Sequence, residues 1–371
     1  MLIRIWNMVW KEIVQLARDR LMTAFIFLLP LVQLALLAQA TGRRIGDLKV
    51  VVLDRDRTAV TRALISDLDN QEELAVRYYV DDMRELESFL DLGKADVGVV
   101  FPRGLTRDLA DPTRTSQVHV LIDGSNAVVG GIASGAVSAV FARYEQEQLR
   151  ARGLAIVPPI DLRLTTYYNP TYNTRYFAIP AQVGFIIYQI TLAVASLGLA
   201  RERELGTLEQ LIVTPLSRLE LVLGKAIPAF IIGVVNFIFL LGVTVHVFGV
   251  PMRGSVLLLL LLTLPFIVAE IGWGVLISAI AHTQQQAILF VFILAMTDIS
   301  FSGFLVPVKN LPGGLQWIAQ AVPMYHYLEI IRSVMLKGAT LATLWPHGLA
   351  LFGLAVTILP ISVRGVSQRL D

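Results

Sequence analysis

Cysteine is absent from the 371 residues, which excludes disulfides, thiolate zinc sites, iron–sulfur clusters and cysteine nucleophiles. Charge is scarce as well. Only 16% of the residues are Asp, Glu, Lys or Arg, against roughly 25% in an ordinary soluble domain. The formal net charge is +2, so there is no field for nucleic acid and no acidic tail. Catalytic signatures are missing too. The five histidines (His119, His246, His282, His326, His347) form no HExxH motif, and no serine occupies a G-x-S-x-G elbow. Gly130 and Gly135 have the spacing of a phosphate loop, but Ala136 and Val137 stand where Lys and Ser/Thr would hold phosphate and magnesium. The chain is therefore expected to carry no catalytic site, no metal and no cofactor of its own.

What is abundant is apolar sequence, 55% of the residues, with a mean hydropathy of +0.64. Six stretches are long enough for a bilayer core of roughly 30 Å. They are Leu21 to Gly42, Tyr176 to Ala200, Ala226 to Met252, Gly254 to Ala281, His282 to Val308, and a last one within Gly338 to Val363 expected to start near Trp345-Pro346. Ala38-Gln39-Ala40 has the form of a signal-peptide cleavage site, but the twenty residues before the first run are too long and amphipathic for an n-region. Trp6, Val9, Ile13 and Leu16 recur at helical spacing with Arg4, Lys11, Arg18 and Arg20 around them, which predicts an interfacial elbow helix over residues 1–20.

Orientation follows from basic residues in short loops. With both termini cytoplasmic, the inside segments hold ten Lys or Arg against four outside, Arg253, Lys309, Arg332 and Lys337. Arg43 and Arg44 count against this. Residues 43–175 hold 17 of the 31 basic and 19 of the 29 acidic residues, a concentration that only a water-facing domain explains. There the hydrophobic period alternates. Val50 to Leu53, Leu74 to Val80, Ala95 to Phe101 and Gln117 to Ile122 read as strands; Val60/Leu64/Leu68, Met83/Leu86/Phe89/Leu90 and Asn126 to Arg150 read as helices. Asp123-Gly124-Ser125-Asn126 reads as a turn with a helix cap, or as a ligand loop. The expected fold class is an α-helical integral membrane protein with six transmembrane helices and an inserted extracytoplasmic α/β domain: elbow 1–20, first span 21–42, α/β domain 43–175 and five spans over 176–371.

Five charges fall within Arg201 to Glu209, at the start of the loop 201–225 between the second and third spans. Thr207 to Gln210 fits a capping box, and Gly206 frees the backbone before it. The short helix would set Leu208, Leu211 and Ile212 on one face and stop at Thr214-Pro215. Ser217 to Glu220 is a second capping box leading into the third span. Such a segment either reverses the chain or presents an apolar knob on a charged stem to a cytoplasmic partner. Inside the spans stand two carboxyl groups, Glu270 and Asp298. They line a translocation path or dimer seam, or else form a protonated or hydrogen-bonded pair between the fourth and fifth spans.

The stretch "RERELGTLEQLIVTPLSRLELVLGK", followed by "IPAF", resembles the signature of type-2 ABC transporter permeases. The likeness extends through Lys11-Glu12 and Arg18-Asp19, "SGFLVP" at Ser302 to Pro307, "NLP" at Asn310 to Pro312, "VPMYHYLEIIR" at Val322 to Arg332, and Lys337-Gly338. It implies the permease subunit of an ATP-driven exporter in the inner membrane, of the branch with a large extracytoplasmic domain after the first span. Its partners would be an ABC ATP-binding subunit that binds ATP and Mg, a second identical or similar permease, membrane lipids and a periplasmic adaptor, with no nucleic acid. On this chain the coupling segment would be Glu202, Glu204, Gly206, Thr207, Leu208, Glu209, Leu211 and Pro215. Lys11, Glu12, Arg18 and Asp19 would belong to an elbow helix touching the ATPase, and residues 308–340 would re-enter the outer leaflet. A membrane-anchored sensor, its outer domain binding a ligand, is the alternative; it would lack a cytoplasmic output domain.

Overall fold

The computed structural model describes residues 1–42, 46–111, 117–123, 127–151, 173–213 and 217–370. The chain divides into two compact units, Met1–Gly42 with Thr165–Asp371, and Arg43–Leu164. Arg43, Arg44, Gly124, Ser125, Asn126 and Pro215 lie outside the described residues, as does the side chain of Leu211.

The first unit opens with α1 (Leu2–Arg18) and α2 (Arg20–Gly42). Asp19 alone separates them. Its extended backbone ends α1, and its carboxylate accepts the Met22 amide at 3.1 Å, capping α2. The apolar stripe of α1 is two stripes. Ile5, Met8 and Val9 are buried against the bundle, whereas Trp6 is 62% exposed and stacks on Trp10 with ring centres 6.5 Å apart.

The second unit runs β1 (Leu48–Asp54), α3 (Ala59–Asp69), β2 (Leu74–Tyr79), α4 (Met83–Asp91), β3 (Val97–Phe101), α5 (Leu105–Ala110), β4 (His119–Ile122) and α6 (Ala127–Ala151). The strand order is β2-β1-β3-β4, with β1 parallel to both neighbours and β4 antiparallel to β3. Alternation along the strands feeds two cores. Val50, Val52, Val97 and Val99 cluster with Leu64 and Leu68 of α3 and Val137 of α6, while Val51, Leu53 and Val100 cluster with Leu86 of α4. Asp56 clamps two loops together: its carboxylate accepts the Gly104 amide at 2.8 Å, the Thr106 amide at 3.0 Å and the Thr106 hydroxyl at 2.6 Å.

The first unit resumes with α7 (Thr174–Glu204), α8 (Leu208–Ile212), α9 (Arg218–His246), α10 (Val256–Ile280), α11 (Gln284–Phe301), α12 (Gly313–Gln320), α13 (Pro323–Arg332) and α14 (Leu341–Leu370). Among the described residues, six helices (α2, α7, α9, α10, α11 and α14) are long and apolar enough to cross a membrane. Helix α10 is central. Gly274 lets it approach α7 so closely that a Cβ there would lie 2.5 Å from the Ala195 Cβ. Phe266 of α10 stacks on Tyr327 of α13 at 4.1 Å, and the Arg332 guanidinium lies over the Phe177 ring of α7 at 3.9 Å.

Several boundaries differ from expectation. Helix α9 starts at Arg218, eight residues before Ala226, because the Ser217–Glu220 capping box is formed in full. Helix α11 stops at Phe301, short of Val308, where Gly303 takes a left-handed backbone with φ 77°. Helix α14 starts at Leu341 and not at Trp345-Pro346. The Thr340 carbonyl already accepts the Thr343 and Leu344 amides, and Pro346, so near the start, forfeits one backbone bond.

Candidate functional site

The four charges Arg201 to Glu204 form the last turn of α7, an integral part of that helix. Thirty-one residues at 1.5 Å each give a helix of about 46 Å, longer than the roughly 30 Å apolar core. A span therefore does not need the length of the charged turn. Gly206 closes it at φ 70°: the Gly206 amide bonds the Arg203 carbonyl at 3.1 Å and the Thr207 amide bonds the Glu202 carbonyl at 2.9 Å, a Schellman closure. The Thr207 hydroxyl, expected to cap α8, instead donates to the Glu202 carboxylate.

At about 100° per residue, consecutive side chains in one turn face different neighbours, and Glu202, Arg203 and Glu204 bond different elements. Glu202 Oε1 accepts Lys11 Nζ of α1 and Lys225 Nζ of α9, both at 2.8 Å. Lys225 Nζ also reaches Glu12 Oε1 at 2.6 Å. Lys225, Glu202 and Glu12 are largely buried and satisfy one another there, with half-exposed Lys11 closing the network from the water side. Arg203 donates to the carbonyls of Ala279, at 3.3 Å, and Ala281, where α10 ends and cations are favoured. Glu204 accepts the Gln284 amide at 2.9 Å and its side-chain amide at 3.0 Å, where α11 begins. One helical turn thus joins α1, α9, α10 and α11.

A second tie fastens the start of α1. The Met1 ammonium lies 3.8 Å and Arg4 4.0 Å from the carboxylate of Glu220 in α9. Of the expected docking face on α8, Leu208 packs instead against the core of its own unit. Leu205 and Val213, 60% and 84% exposed, stand outward, with exposed Glu209 between them in the sequence. Arg18 is exposed at the end of α1, and Asp19 is spent on the turn into α2.

Deep in the bundle, Glu270 is fully buried and Asp298 nearly so. No hydrogen bond joins them. Both Glu270 oxygens have no hydrogen-bond partner among the described residues, and Tyr188 of α7 is buried in the same bundle. The hydrogen-bonded pair weighed from the sequence is not formed. Gly130 to Val137, the glycine spacing of a phosphate loop, lies inside α6. Among the described residues no three His, Asp or Glu side chains converge as a metal site.

A family model described as ABC-2 family transporter protein matches residues 20–364, nearly the whole chain. The chain belongs to the ABC-2 transporter family. Among its relatives are two proteins of Escherichia coli (strain K12). Probable multidrug ABC transporter permease YbhR is 29% identical over 342 residues, 92% of each chain. Probable multidrug ABC transporter permease YbhS is 27% identical over 367 residues, 97% of this chain and 96% of that one. ABC transporter G family member 20 of Dictyostelium discoideum is 22% identical and aligns with 97% of this chain but 50% of its own length. This ABC-2 chain is thus a multi-pass permease subunit of an ABC transporter. Membership of the family implies dimerisation and pairing with an ATP-binding subunit.

Lys225, Arg203 and Tyr188 were not singled out from the sequence, and Glu220 was singled out only as the capping-box partner of Ser217. Lys225 carried a signal nonetheless. It is a cation standing before a long apolar run, with Glu220 a turn earlier, and a buried cation requires an acid beside it.

Proposed function

We propose that this ABC-2 chain is the permease of an export system driven by ATP, with ATP and Mg bound and hydrolysed by a separate subunit in the cytoplasm. Both termini and the loop 201–225 face the cytoplasm of a cell whose inner membrane holds the protein. The α/β unit faces outward, there to cap the path or to meet a periplasmic adaptor, and residues 308–340 re-enter the outer leaflet. Glu202, Glu204, Gly206, Thr207, Leu208, Glu209, Leu211 and Pro215 form the coupling segment. Lys11, Glu12, Arg18 and Asp19 form the elbow beside it. Glu270 and Asp298 line the translocation path or a dimer seam; an ionisable group inside a span is costly and marks a functional site, and both Glu270 oxygens have no partner among the described residues.

The observation that carries this reading is the junction at Glu202, Arg203 and Glu204. A plain chain reversal needs only a glycine, whereas here one turn grips four other helices. Closure of the ATPase subunits pushes Leu205, Glu209 and Val213, and the α7 turn passes that push to α1, α9, α10 and α11. The test is co-expression with ABC ATP-binding subunits from the same genome and assay of the purified complex for ATPase activity, with Gly206→Pro and Glu209→Arg variants in parallel. Stable co-purification with activity altered by both variants is expected. A chain that retains no ATPase subunit, or is indifferent to both changes, returns the segment to a plain reversal and favours the sensor.

A further inference from the structure

An open groove of about 680 Å³ lies on the outer side of α1, lined by Trp10, Lys11, Arg18, Asp19 and Arg201 of α7 among others. Three of these five are cations. The one carboxylate, Asp19, is turned to the amide of Met22. Adding the neighbouring Glu12, Glu202 and Lys225 still leaves a positive excess, since those charges are matched within the four-membered network.

The surroundings of the groove are apolar and uncovered. On α1, Leu2, Ile3, Trp6 and Trp10 are 82%, 77%, 62% and 58% exposed. Directly after Asp19, α2 continues with exposed Leu21, Leu28, Val32 and Leu36. Seen down its axis, α1 has three sectors: Ile5, Met8 and Val9 against the bundle, the stacked tryptophans outward, and Arg4, Lys11 and Arg18 on the third side. A paired tryptophan and a basic cluster at the junction of a surface helix and a span meet an amphiphile with an anionic head and two acyl chains.

We propose that the groove binds the phosphate of an anionic phospholipid, held by Arg18 and Arg201 while its chains lie along α2. The guanidinium forks suit phosphate oxygens, and the Trp10 ring covers the glycerol level. A zwitterionic headgroup carries its own cation into the same positive site and is disfavoured. A protein surface would have to cover the tryptophans and the exposed face of α2 together, a face that continues into a membrane span. The lipid is therefore the occupant that the charge and the apolar continuity favour.

The experiment uses the full chain in nanodiscs, alone and with its ATP-binding subunit. Tryptophan fluorescence is quenched by brominated phosphatidylglycerol or by brominated phosphatidylcholine, and W6F/W10F isolates the contribution of α1. Brominated phosphatidylglycerol is expected to half-quench that contribution at a several-fold lower mole fraction. Arg18→Gln and Arg201→Gln should each reduce the preference about fivefold. Arg18 is exposed, so R18Q carries the test if R201Q does not fold. Equal quenching by the two lipids would overturn the proposal, as would a preference that survives R18Q. A preference lost whenever the ATP-binding subunit is present would assign the groove to that protein.

Discussion

A buried ion network is worth little against an apolar replacement but costs heavily when one member is removed. Lys225 is the member whose loss matters most, because it serves Glu202 and Glu12 at once. Lys225→Met should destabilise the chain by about 3–5 kcal/mol, read as a fall in the thermal midpoint in detergent. Lys225→Met with Glu202→Met should recover part of that loss, and a double-mutant cycle measures how much. Asp56 makes a different prediction. The Thr106 hydroxyl, followed by the amides of Thr106 and Gly104, holds its carboxyl below the usual aspartate range. The stabilisation it gives is complete above the unfolded pKa and lost as pH falls through the lowered folded value. Hydrogen exchange at Gly104 and Thr106 in the full chain should remain protected at neutral pH and open first on acidification, and Asp56→Asn should open these amides already at pH 7. Glu202 stood out in the sequence from its place in a charged run. Its partner Lys225 was not, because the contact spans 23 residues and depends on how α7 and α9 pack. His326 and His347 likewise look scattered in sequence, yet their Nδ1 atoms meet at 3.0 Å.

Among the elements, α7 and α10 are held at a distance set by Gly274. A Cβ there would meet the Ala195 Cβ at 2.5 Å and the Leu192 carbonyl at 2.9 Å, and backbone cannot give way as a side-chain tip does. Gly274→Ala should cost about 1–3 kcal/mol through overpacking. Gly353→Ala in α14, where nothing lies within 4 Å, should be neutral or stabilise by up to about 1 kcal/mol through helix propensity. The paired thermal midpoints check both. Secondary structure was readable where the hydrophobic period was unambiguous, as in α3, where Val60, Leu64 and Leu68 recur at helical spacing and Leu64 and Leu68 are buried. Helix α5 was missed, since six residues show too little period. The end of α7 was misread as loop because charge was taken to end a span, whereas a helix continues into water without changing its backbone.

For the molecule as a whole, the lack of cysteine makes orientation directly measurable. A single cysteine at Gln71, in the α/β unit, should react with a membrane-impermeant maleimide in intact cells, and one at Glu209 only after the membrane is opened. The reverse pattern would turn the proposed direction around. Six apolar runs gave the number of spans to the sequence reader, but nothing in them told which helices touch. Pairings such as α10 with α14 rest on side-chain volumes matched over tens of residues. The neutrality of the Lys11–Glu12–Glu202–Lys225 network has a further consequence. Counter-ions reach exposed charges within a Debye length of about 8 Å in physiological salt but screen buried pairs far less. Raising the ionic strength should leave the joint between α1, α7 and α9 intact while it strips the hold of exposed Arg18 on a phosphate. A potassium chloride titration of the tryptophan quenching, set beside the thermal midpoint, would therefore show the lipid headgroup being released while the joint stays closed.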